Sequence, residues 1–575
     1  MFTCAFAGAL VGCHSDSENS NLEAFSLTEI RASSSNVKAM TLNWTSASNK
    51  TGVTYTVCEK DSSKENNCDA LSTTTDTLTA TVVVDSLVSA LSTDYFILAS
   101  NGSSTVLSNE KTLTVDSITQ MIGYFKASNT DSDDRFGYSL ALSNDGSTLA
   151  VGAYYEDGSA TSVITDGSET NDTGSTLNSG AVYLFSNSSG TWTKTAYVKA
   201  SNAAVSNDFG RSVALNSDGS MLAVGAPYQN IGATSSGAVY LFSNSSSSWT
   251  QTAYLKASNI GTTDTFGYSV ALSRDGSTLA VGAYQEDNAA TGVITNGSES
   301  TDSGTATDSG AVYLFRNSSG SWAQTAYIKA SNTSAQDYFG YSVALSSDGS
   351  TLAVGAYGQD GSATDSGAVY LFSTSPGSLA QTDYLKASNA SAQDYFGYSI
   401  ALSSDGSTLA VGAYGQDDSA TDSGAVYLFS NSSSSWTQTD YLKATNIGAG
   451  DRFGYSLALS GDNNSLAVGA YLEDNSATGV ITDGSETSNA GSATDSGAVY
   501  LFSNNSGSWT QTAYIKAPNT GADDYFGYSM ALSSDGSSLA VGAYQEDNSA
   551  TGVITDGSET NDVGSAPDSG AVYLY

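Results

Sequence analysis

Acidic residues recur in related groups along this chain, and their carboxylates are the side chains best suited to bind a metal ion, catalyse hydrolysis or contact a ligand. At four places a Glu-Asp pair opens a longer segment that carries further acids in a shared pattern. Loop carboxylates can coordinate calcium, act as a hydrolytic pair or contact a binding partner. We therefore take sixteen of them as candidate binding-loop residues: Glu156, Asp157, Asp166, Glu169, Asp172, Glu286, Asp287, Glu299, Glu473, Asp474, Asp483, Glu486, Glu546, Asp547, Asp556 and Glu559.

A second set of aspartates lies two residues before a repeated Phe-Gly pair. We favour a turn-capping role, in which the carboxylate accepts hydrogen bonds from backbone N–H groups. The alternative is weak calcium coordination, and calcium is the one cofactor that the sequence leaves possible. The second repeat has Asn207 at this position. The six aspartates are Asp134, Asp264, Asp337, Asp394, Asp451 and Asp524.

The residue types that are missing limit the enzyme chemistry open to the repeats. The only histidine is His14, and all four cysteines precede residue 69. The repeats therefore hold no Ser-His-Asp triad, Cys-His pair or histidine-based metal site. Carboxylate-pair hydrolysis stays open, but it needs one asymmetric pair, whereas these acids recur. We predict that the chain is not an enzyme.

The net charge of the chain excludes one class of binding partner. Nineteen Lys and Arg against 58 Asp and Glu give −39 at pH 7. Such a surface repels a polyanion, so we exclude nucleic acid as a partner.

A Phe-Gly pair occurs seven times and opens a unit with four short apolar runs. The spacings are 73, 57, 73, 57, 57 and 73 residues. In the first unit, large and small residues alternate over 136–143, an Asp145-Gly146 turn follows, and three further runs complete four strands. Short strands at this period are typical of propeller blades. The pairs begin at Phe136, Phe209, Phe266, Phe339, Phe396, Phe453 and Phe526.

These units resemble the FG-GAP repeats of the integrin α-subunit propeller family. Gly225-Ala226-Pro227 reproduces the second half of that motif, and the other units have Gly-Ala-Tyr there. The resemblance spans 118–575 and implies a seven-bladed β-propeller. The calcium loop that family members often carry between the first two strands is replaced here by short Asp-Gly turns. We therefore do not transfer the family's calcium sites.

The two ends of the repeat region predict how the ring closes. The last unit stops after its third run, at 570–575, while an extra fourth-strand sequence, 121–128, precedes the first unit. We expect this N-terminal strand to complete the last blade, because closure removes exposed sheet edges.

The fourth strand of the units carries a repeated lysine and tryptophan. We interpret the lysines as charges that protect an outer sheet edge, and the tryptophans as packing residues and not a sugar platform. These residues are Lys126, Lys199, Lys256, Lys329, Lys386, Lys443 and Lys516, with Trp192, Trp249, Trp322, Trp436 and Trp509.

The N-terminal region differs from the repeats. Residues 23–117 resemble a fibronectin type III domain, with Trp44 in the core and Cys58 and Cys68 as a predicted disulfide. Residues 1–13 resemble a bacterial lipoprotein signal that ends at Cys13, the predicted lipidation site, and 14–22 form a polar tether.

The predicted fold is all-β: a fibronectin type III-like sandwich followed by a seven-bladed β-propeller of four-stranded blades, closed by an N-terminal outer strand. We expect a lipid-anchored binding or adhesion protein of the bacterial cell envelope, at the outer membrane or cell surface. Its ligand would be an extracellular protein or glycan, recognised by the face with the long acidic loops, and the lipid anchor would be its only membrane contact. The alternatives are a carboxylate-based glycan hydrolase or lyase, and a purely structural envelope protein.

Overall fold

A computed structural model describes most of the chain: residues 22–48, 51–169, 176–246, 248–295, 297, 299, 304–361, 363–432, 435–446, 448–485, 493–555 and 566–575. The chain is organised as two compact units. The first comprises Met1–Arg31, Thr41–Val82 and Ser92–Thr112, and the second comprises Ala32–Met40, Val83–Leu91 and Leu113–Tyr575. Strands dominate both units.

The first seven strands form two antiparallel sheets, in the orders β1-β2-β5 and β4-β3-β6-β7. In the first unit, Trp44 of one sheet contacts Tyr55 of the other, with ring centroids 5.7 Å apart. A disulfide joins Cys58 and Cys68. The fibronectin type III resemblance itself stays a prediction. The elements are β1 (Leu27–Ala32), β2 (Ala39–Trp44), β3 (Thr54–Lys60), a 3₁₀ turn (Glu65–Asn67), β4 (Cys68–Thr75), β5 (Thr79–Val83), α1 (Leu87–Ala90), β6 (Tyr95–Ser100), β7 (Thr105–Leu107) and α2 (Val115–Thr119).

The second unit contains seven antiparallel sheets, one for each repeat, which we number as blades one to seven. Blade one is β9 (Phe136–Leu142), β10 (Thr148–Ala153), β11 (Ala181–Ser188) and β12 (Thr191–Val198); blade two is β13 (Ser212–Leu215), β14 (Met221–Ala226), β15 (Ala238–Ser245) and β16 (Ser248–Leu255); blade three is β17 (Ser269–Leu272), β18 (Thr278–Ala283), β19 (Val293–Ile294), β20 (Ala311–Ser318) and β21 (Ser321–Ile328); blade four is β22 (Ser342–Leu345), β23 (Thr351–Ala356), β24 (Ala368–Ser373) and β25 (Ala380–Leu385). Blade five is β26 (Ser399–Leu402), β27 (Thr408–Ala413), β28 (Ala425–Ser432) and β29 (Ser435–Leu442); blade six is β30 (Ser456–Leu459), β31 (Ser465–Ala470), β32 (Gly479–Ile481), β33 (Ala498–Asn505) and β34 (Ser508–Lys516); blade seven is β35 (Ser529–Leu532), β36 (Leu539–Ala543), β37 (Gly552–Ile554) and β38 (Ala571–Leu574), with β8 (Gly123–Lys126).

The Phe-Gly and Gly-Ala motifs set the spacing between blades. A Cβ added to Gly282 of the Gly-Ala motif would lie 2.0 Å from the carbonyl oxygen of Gly340, in the next blade. Gly340 has a φ of +89°, which favours glycine. The hydroxyl of Ser269 donates to the same carbonyl at 2.8 Å. Both glycines are therefore required because neighbouring backbones almost touch.

The same serine-to-glycine hydrogen bond joins each blade to the next and closes the circle. Ser529 of blade seven donates to the carbonyl of Gly137 in blade one at 2.6 Å. In addition, β8 pairs with β38, so that Tyr124 lies opposite Tyr573. The predicted closure of the ring by an N-terminal outer strand is confirmed.

The insertions between the second and third strands add to the blades' outer edges. Strands β19, β32 and β37 pair with the fourth strands of blades three, six and seven, which therefore have five strands. In blade one, Ile164 makes an equivalent bridge to Tyr197. The prediction of four-stranded blades is correct for blades one, two, four and five among the described residues, and too low for the other three.

The repeated tryptophans pack as predicted. Trp192, Trp249, Trp436 and Trp509 are buried, and Trp322 is half-buried against the core between blades two and three. Their burial is consistent with packing and not with a sugar platform.

Candidate functional site

Four of the candidate glutamates are buried in ion pairs with fourth-strand lysines. The nitrogen-to-oxygen distances are 2.7 to 2.9 Å, and all eight side chains are at most 2% exposed. We call these pairs the Lys–Glu clusters: Lys199–Glu156, Lys329–Glu286, Lys516–Glu473 and Lys126–Glu546.

Neutral groups complete each cluster. In blade three, Glu286 accepts from the hydroxyl of Tyr327 at 2.8 Å and from the amide of Asn259 at 3.0 Å. Lys329 also donates to Ser309 at 2.7 Å. In blade one, burial lowers the pKa of Lys199, while the charge of Glu156 and its hydrogen bond oppose that shift. A buried charge needs such partners, and here each ion has several.

These contacts correct two predictions. The four glutamates cannot contact a surface ligand, because their carboxylates lie inside the blades. The lysines Lys126, Lys199, Lys329 and Lys516 do not protect a free edge, because they are fully buried behind the inserted segment. Blades two, four and five have the short loop and carry Gln229, Gln359 and Gln416 in place of the glutamate.

Six other candidate acids hold the loops together. The second residue of each Glu-Asp pair accepts a backbone N–H at the far end of its own loop, at 2.7 to 2.9 Å: Asp157, Asp287, Asp474 and Asp547. Glu169 pairs with Lys194, and Glu299 accepts from Gln324 at 3.1 Å.

Two candidate acids are exposed, and four others cannot be placed. Asp166 and Asp483 each accept the backbone N–H of the serine two residues further on, at 3.1 and 3.0 Å. Asp172, Glu486, Asp556 and Glu559 lie outside the described residues, as does Cys13.

The six calcium candidates cap turns. Each accepts the backbone N–H of the third residue before it, at 2.7 to 3.0 Å: Asp134, Asp264, Asp337, Asp394, Asp451 and Asp524. This confirms the turn-capping interpretation.

Their surroundings do not suit a cation site. Burial, with the nearby charge of Glu156, raises the pKa of Asp134 to about 8, and burial raises that of Asp337 to about 6. No group of three or more His, Cys, Asp or Glu within the described ranges is arranged to hold a metal ion. The described residues therefore provide no ligand cluster that would support the calcium hypothesis.

Tyrosines line the propeller axis, where sequence reasoning did not place a site. The residue after each Phe-Gly pair is tyrosine in six blades and Arg211 in blade two. Neighbouring hydroxyls meet at 2.7 to 3.1 Å in four pairs, three of them in succession, and Arg211 donates to Tyr268 at 3.2 Å. We call these seven residues the inner ring: Tyr138, Arg211, Tyr268, Tyr341, Tyr398, Tyr455 and Tyr528.

Further aromatic residues and two arginines lie beside the inner ring. Tyr338 stacks on Tyr357 with centroids 4.9 Å apart, and Tyr395 on Tyr414 at 5.0 Å. Equivalent residues in two blades are arginines that lie over tyrosine rings. We call these the axial mouth: Arg135, Tyr338, Tyr395, Arg452 and Tyr525, with Tyr154, Tyr155, Tyr284, Tyr357, Tyr414, Tyr471 and Tyr544.

The axial mouth lies on the same face as the loops between the second and third strands. The N–H of Arg135 bonds to the carbonyl of Asp568, at the end of blade seven's long loop. Tyr338 makes the same bond to Asp308 of blade three. The arginines and the tyrosines that precede Phe-Gly are partly exposed, so ring faces and guanidinium groups reach solvent.

The chemistry available at the inner ring and the axial mouth is recognition. Burial raises the pKa of Tyr138 to about 12, and that of Tyr341 well above its usual value. These hydroxyls are therefore protonated at neutral pH and act as hydrogen-bond donors and acceptors. Aromatic faces with adjacent guanidinium groups suit stacking and polar contacts to a sugar or peptide. The signal in the sequence was the tyrosine that, in six of the seven blades, follows the Phe-Gly pair and the Gly-Ala pair at the end of the second strand.

The model of the FG-GAP repeat family matches the chain seven times, at residues 124–185, 192–242, 249–315, 322–372, 380–429, 436–502 and 509–575. No curated protein is similar enough in sequence to count as a match. Within the described residues, no helix is long and apolar enough to cross a membrane.

Solved structures with a similar chain path are distant in sequence. A periplasmic gluconolactonase of Pseudomonas aeruginosa, PpgL, is 14% identical, with a TM-score of 0.41, over 75% of this chain and 93% of that one. The RRP9 WD40 repeats are 12% identical, with a TM-score of 0.43, over 79% and 96% of the two chains. Sqt1 of Saccharomyces cerevisiae is 11% identical, with a TM-score of 0.39, over 79% and 97%.

Proposed function

The chain belongs to the FG-GAP repeat family, and we propose that it is a binding protein that recognises an extracellular protein or glycan through the axial mouth. In this proposal it is not an enzyme, and it is held at the bacterial cell envelope by a lipid on Cys13. The proposal keeps the loop-bearing face that the sequence indicated. It moves the ligand contacts from the acidic loops to the axis of the propeller.

The observation that carries this proposal is the clustering of partly exposed tyrosines and arginines around one axis. Tyrosine, tryptophan and arginine are the residues most enriched at binding hot spots, because they combine a large apolar area with polar groups. The Lys–Glu clusters support the same face from inside by fixing the bases of the long loops. A binding site on a rigid scaffold loses little conformational entropy when its ligand binds.

Binding can be tested with the full chain on glycan and extracellular-matrix protein arrays, with and without calcium. We expect capture that does not require calcium and that falls at least tenfold in Tyr338→Ala, Tyr395→Ala and Arg452→Ala. Replacements on the opposite rim, at Asn187 or Ser188, are the matched controls and should bind normally. If only the opposite-rim variants lose capture, the axial site is wrong. Ligand turnover would instead favour the carboxylate-based hydrolase or lyase.

A further inference from the structure

The blades differ at their outer edges. In blades one, three, six and seven, an inserted segment lies against the fourth strand, and the tyrosines there are at most 2% exposed: Tyr197, Tyr327, Tyr514 and Tyr124. The equivalent residues of blades two, four and five are Tyr254, Tyr384 and Tyr441, which are 39%, 40% and 37% exposed. Within the described ranges, three blades therefore have an uncovered outer strand.

The covered blades show which backbone groups face outward. The N–H and carbonyl of Tyr197 bond to Ile164 at 2.8 Å each. Tyr384 occupies the same register in blade four, opposite Tyr370, as Tyr197 does opposite Tyr183. Within the described part of the chain, no backbone hydrogen bond satisfies the outer side of Tyr384. Unpaired groups on a sheet edge can bind an added strand.

Blade four also has space beside this edge. A cavity of about 610 Å³ is lined by Gly361, Tyr384, Lys386 and 387–390. In blade seven the corresponding space holds the inserted segment, where Thr130 donates to the carbonyl of Ala550 at 2.8 Å. The position of Gly361 is Asp418 in blade five, and that carboxylate accepts from Tyr441 at 3.0 Å. Blade four thus combines an uncovered edge with room for an occupant.

The ammonium group at this edge also lacks a directly bonded carboxylate. The ammonium group of Lys386 donates to Ser366 at 2.7 Å and to the side chain of Gln359 at 3.2 Å. In the covered blades the equivalent lysine pairs with a glutamate. Among the described residues, Lys386 has no carboxylate in hydrogen-bond contact, and the charges of Asp360, Asp337 and Asp394 act on it only from further away. A carboxylate on an incoming strand would complement it.

We propose that the outer edge of blade four binds an extended segment of another protein as an added antiparallel strand. The segment has the pattern Gly or Ser followed by two β-branched residues, with an acidic residue on its N-terminal side. Four segments of this chain define that pattern, because Gly-Val-Ile or Ser-Val-Ile occupies this place in the covered blades. This site is separate from the axial mouth and does not depend on the proposed function.

A direct test uses the intact chain and labelled peptides with the sequences of 549–555 (Ser-Ala-Thr-Gly-Val-Ile-Thr) and 546–555, which adds Glu-Asp-Asn. We expect saturable binding of both, at least threefold tighter for the acidic peptide, and none when proline replaces the isoleucine, because in covered blade one the equivalent isoleucine N–H makes the bond to the outer-strand tyrosine carbonyl. Hydrogen exchange at the Tyr384 and Lys386 amides should slow when peptide binds. Absence of both saturable binding and slowed exchange would overturn the proposal.

A graft provides the matched variant. Replacing 359–365 with the sequence of 546–568 should cover the edge in cis and abolish peptide binding. The same graft with aspartates at the valine and isoleucine positions should leave binding intact. Unchanged binding by the first graft would contradict the site. A third outcome is that the wild type binds no peptide but forms concentration-dependent dimers, which the first graft removes. That result would identify a second copy of this chain as the occupant and overturn our assignment.

Discussion

Lys329 and Glu286 form a buried pair with no exposed side-chain surface, whereas Lys386 in blade four binds neutral oxygens. Removing one member of a buried ion pair leaves the other uncompensated, at a cost of about 3–5 kcal/mol. We expect Lys329→Met to lower the free energy of unfolding by that amount. Lys386→Met should lower it by about 1 kcal/mol, the value of a typical hydrogen bond. Denaturant titration of both variants gives the comparison, and equal losses would contradict it.

Asp134 predicts a pH dependence of stability. Its folded pKa of about 8 lies above the ordinary aspartate value of 3.8 because of burial and the charge of Glu156. The folded state therefore holds an extra proton between these values, so this group makes stability fall as pH rises from about 4 to 8. Asp134→Asn, which copies Asn207 of blade two, should reduce that fall by on the order of 1–3 kcal/mol.

The measurement is the free energy of unfolding at several pH values, for wild type and Asp134→Asn. Asp145→Asn is the control, because hydrogen bonds lower the pKa of Asp145 and its effect should have the opposite sign. An Asp134→Asn curve parallel to wild type would show that this carboxyl is already ionised in the folded state.

At the scale of elements, the contact between blades is set by glycine. The Cβ of an alanine at Gly282 would lie 2.0 Å from a backbone oxygen that cannot move without separating two blades. We expect Gly282→Ala to destabilise by more than about 3 kcal/mol, as overpacking at a rigid contact does. Gly377→Ala meets nothing within 4 Å and should cost about 1–2 kcal/mol, from backbone strain at its positive φ. Thermal melts of both variants test the difference.

The strands could be predicted from the sequence, because each blade repeats the same alternation and six of the seven repeat the same Asp-Gly turn. The carboxylate partner of each lysine could not be predicted. Lys199 and Glu156 are 43 residues apart, and a lysine and a glutamate recur in every long-loop blade. A signal existed: glutamate accompanies the long loops, and Gln229, Gln359 and Gln416 accompany the short ones. The Val-Ile pair in each insertion was also a strand signal, but a pair this short does not indicate which edge it covers.

At the scale of the whole molecule, the ring depends on one strand from outside the repeats. β8 pairs with β38 on one side and with β37 on the other, and Lys126 of β8 forms the Lys–Glu cluster of blade seven with Glu546. Its removal leaves β38 with a free edge and Glu546 with a buried, unpaired charge. Both effects are costly, and an open apolar edge promotes aggregation.

We therefore predict that a chain beginning at residue 131 is much less stable than one beginning at residue 117. The longer form should unfold cooperatively and stay monomeric, because its ring is closed. The shorter form should melt at least 10 °C lower or aggregate. Adding a peptide of residues 121–128 should restore part of the lost stability, because that strand binds only the folded state. Calorimetry and light scattering on the two forms provide the measurement. Matching melting temperatures for the two would mean that the propeller is stable with an open seventh blade, and that β8 contributes little to ring closure.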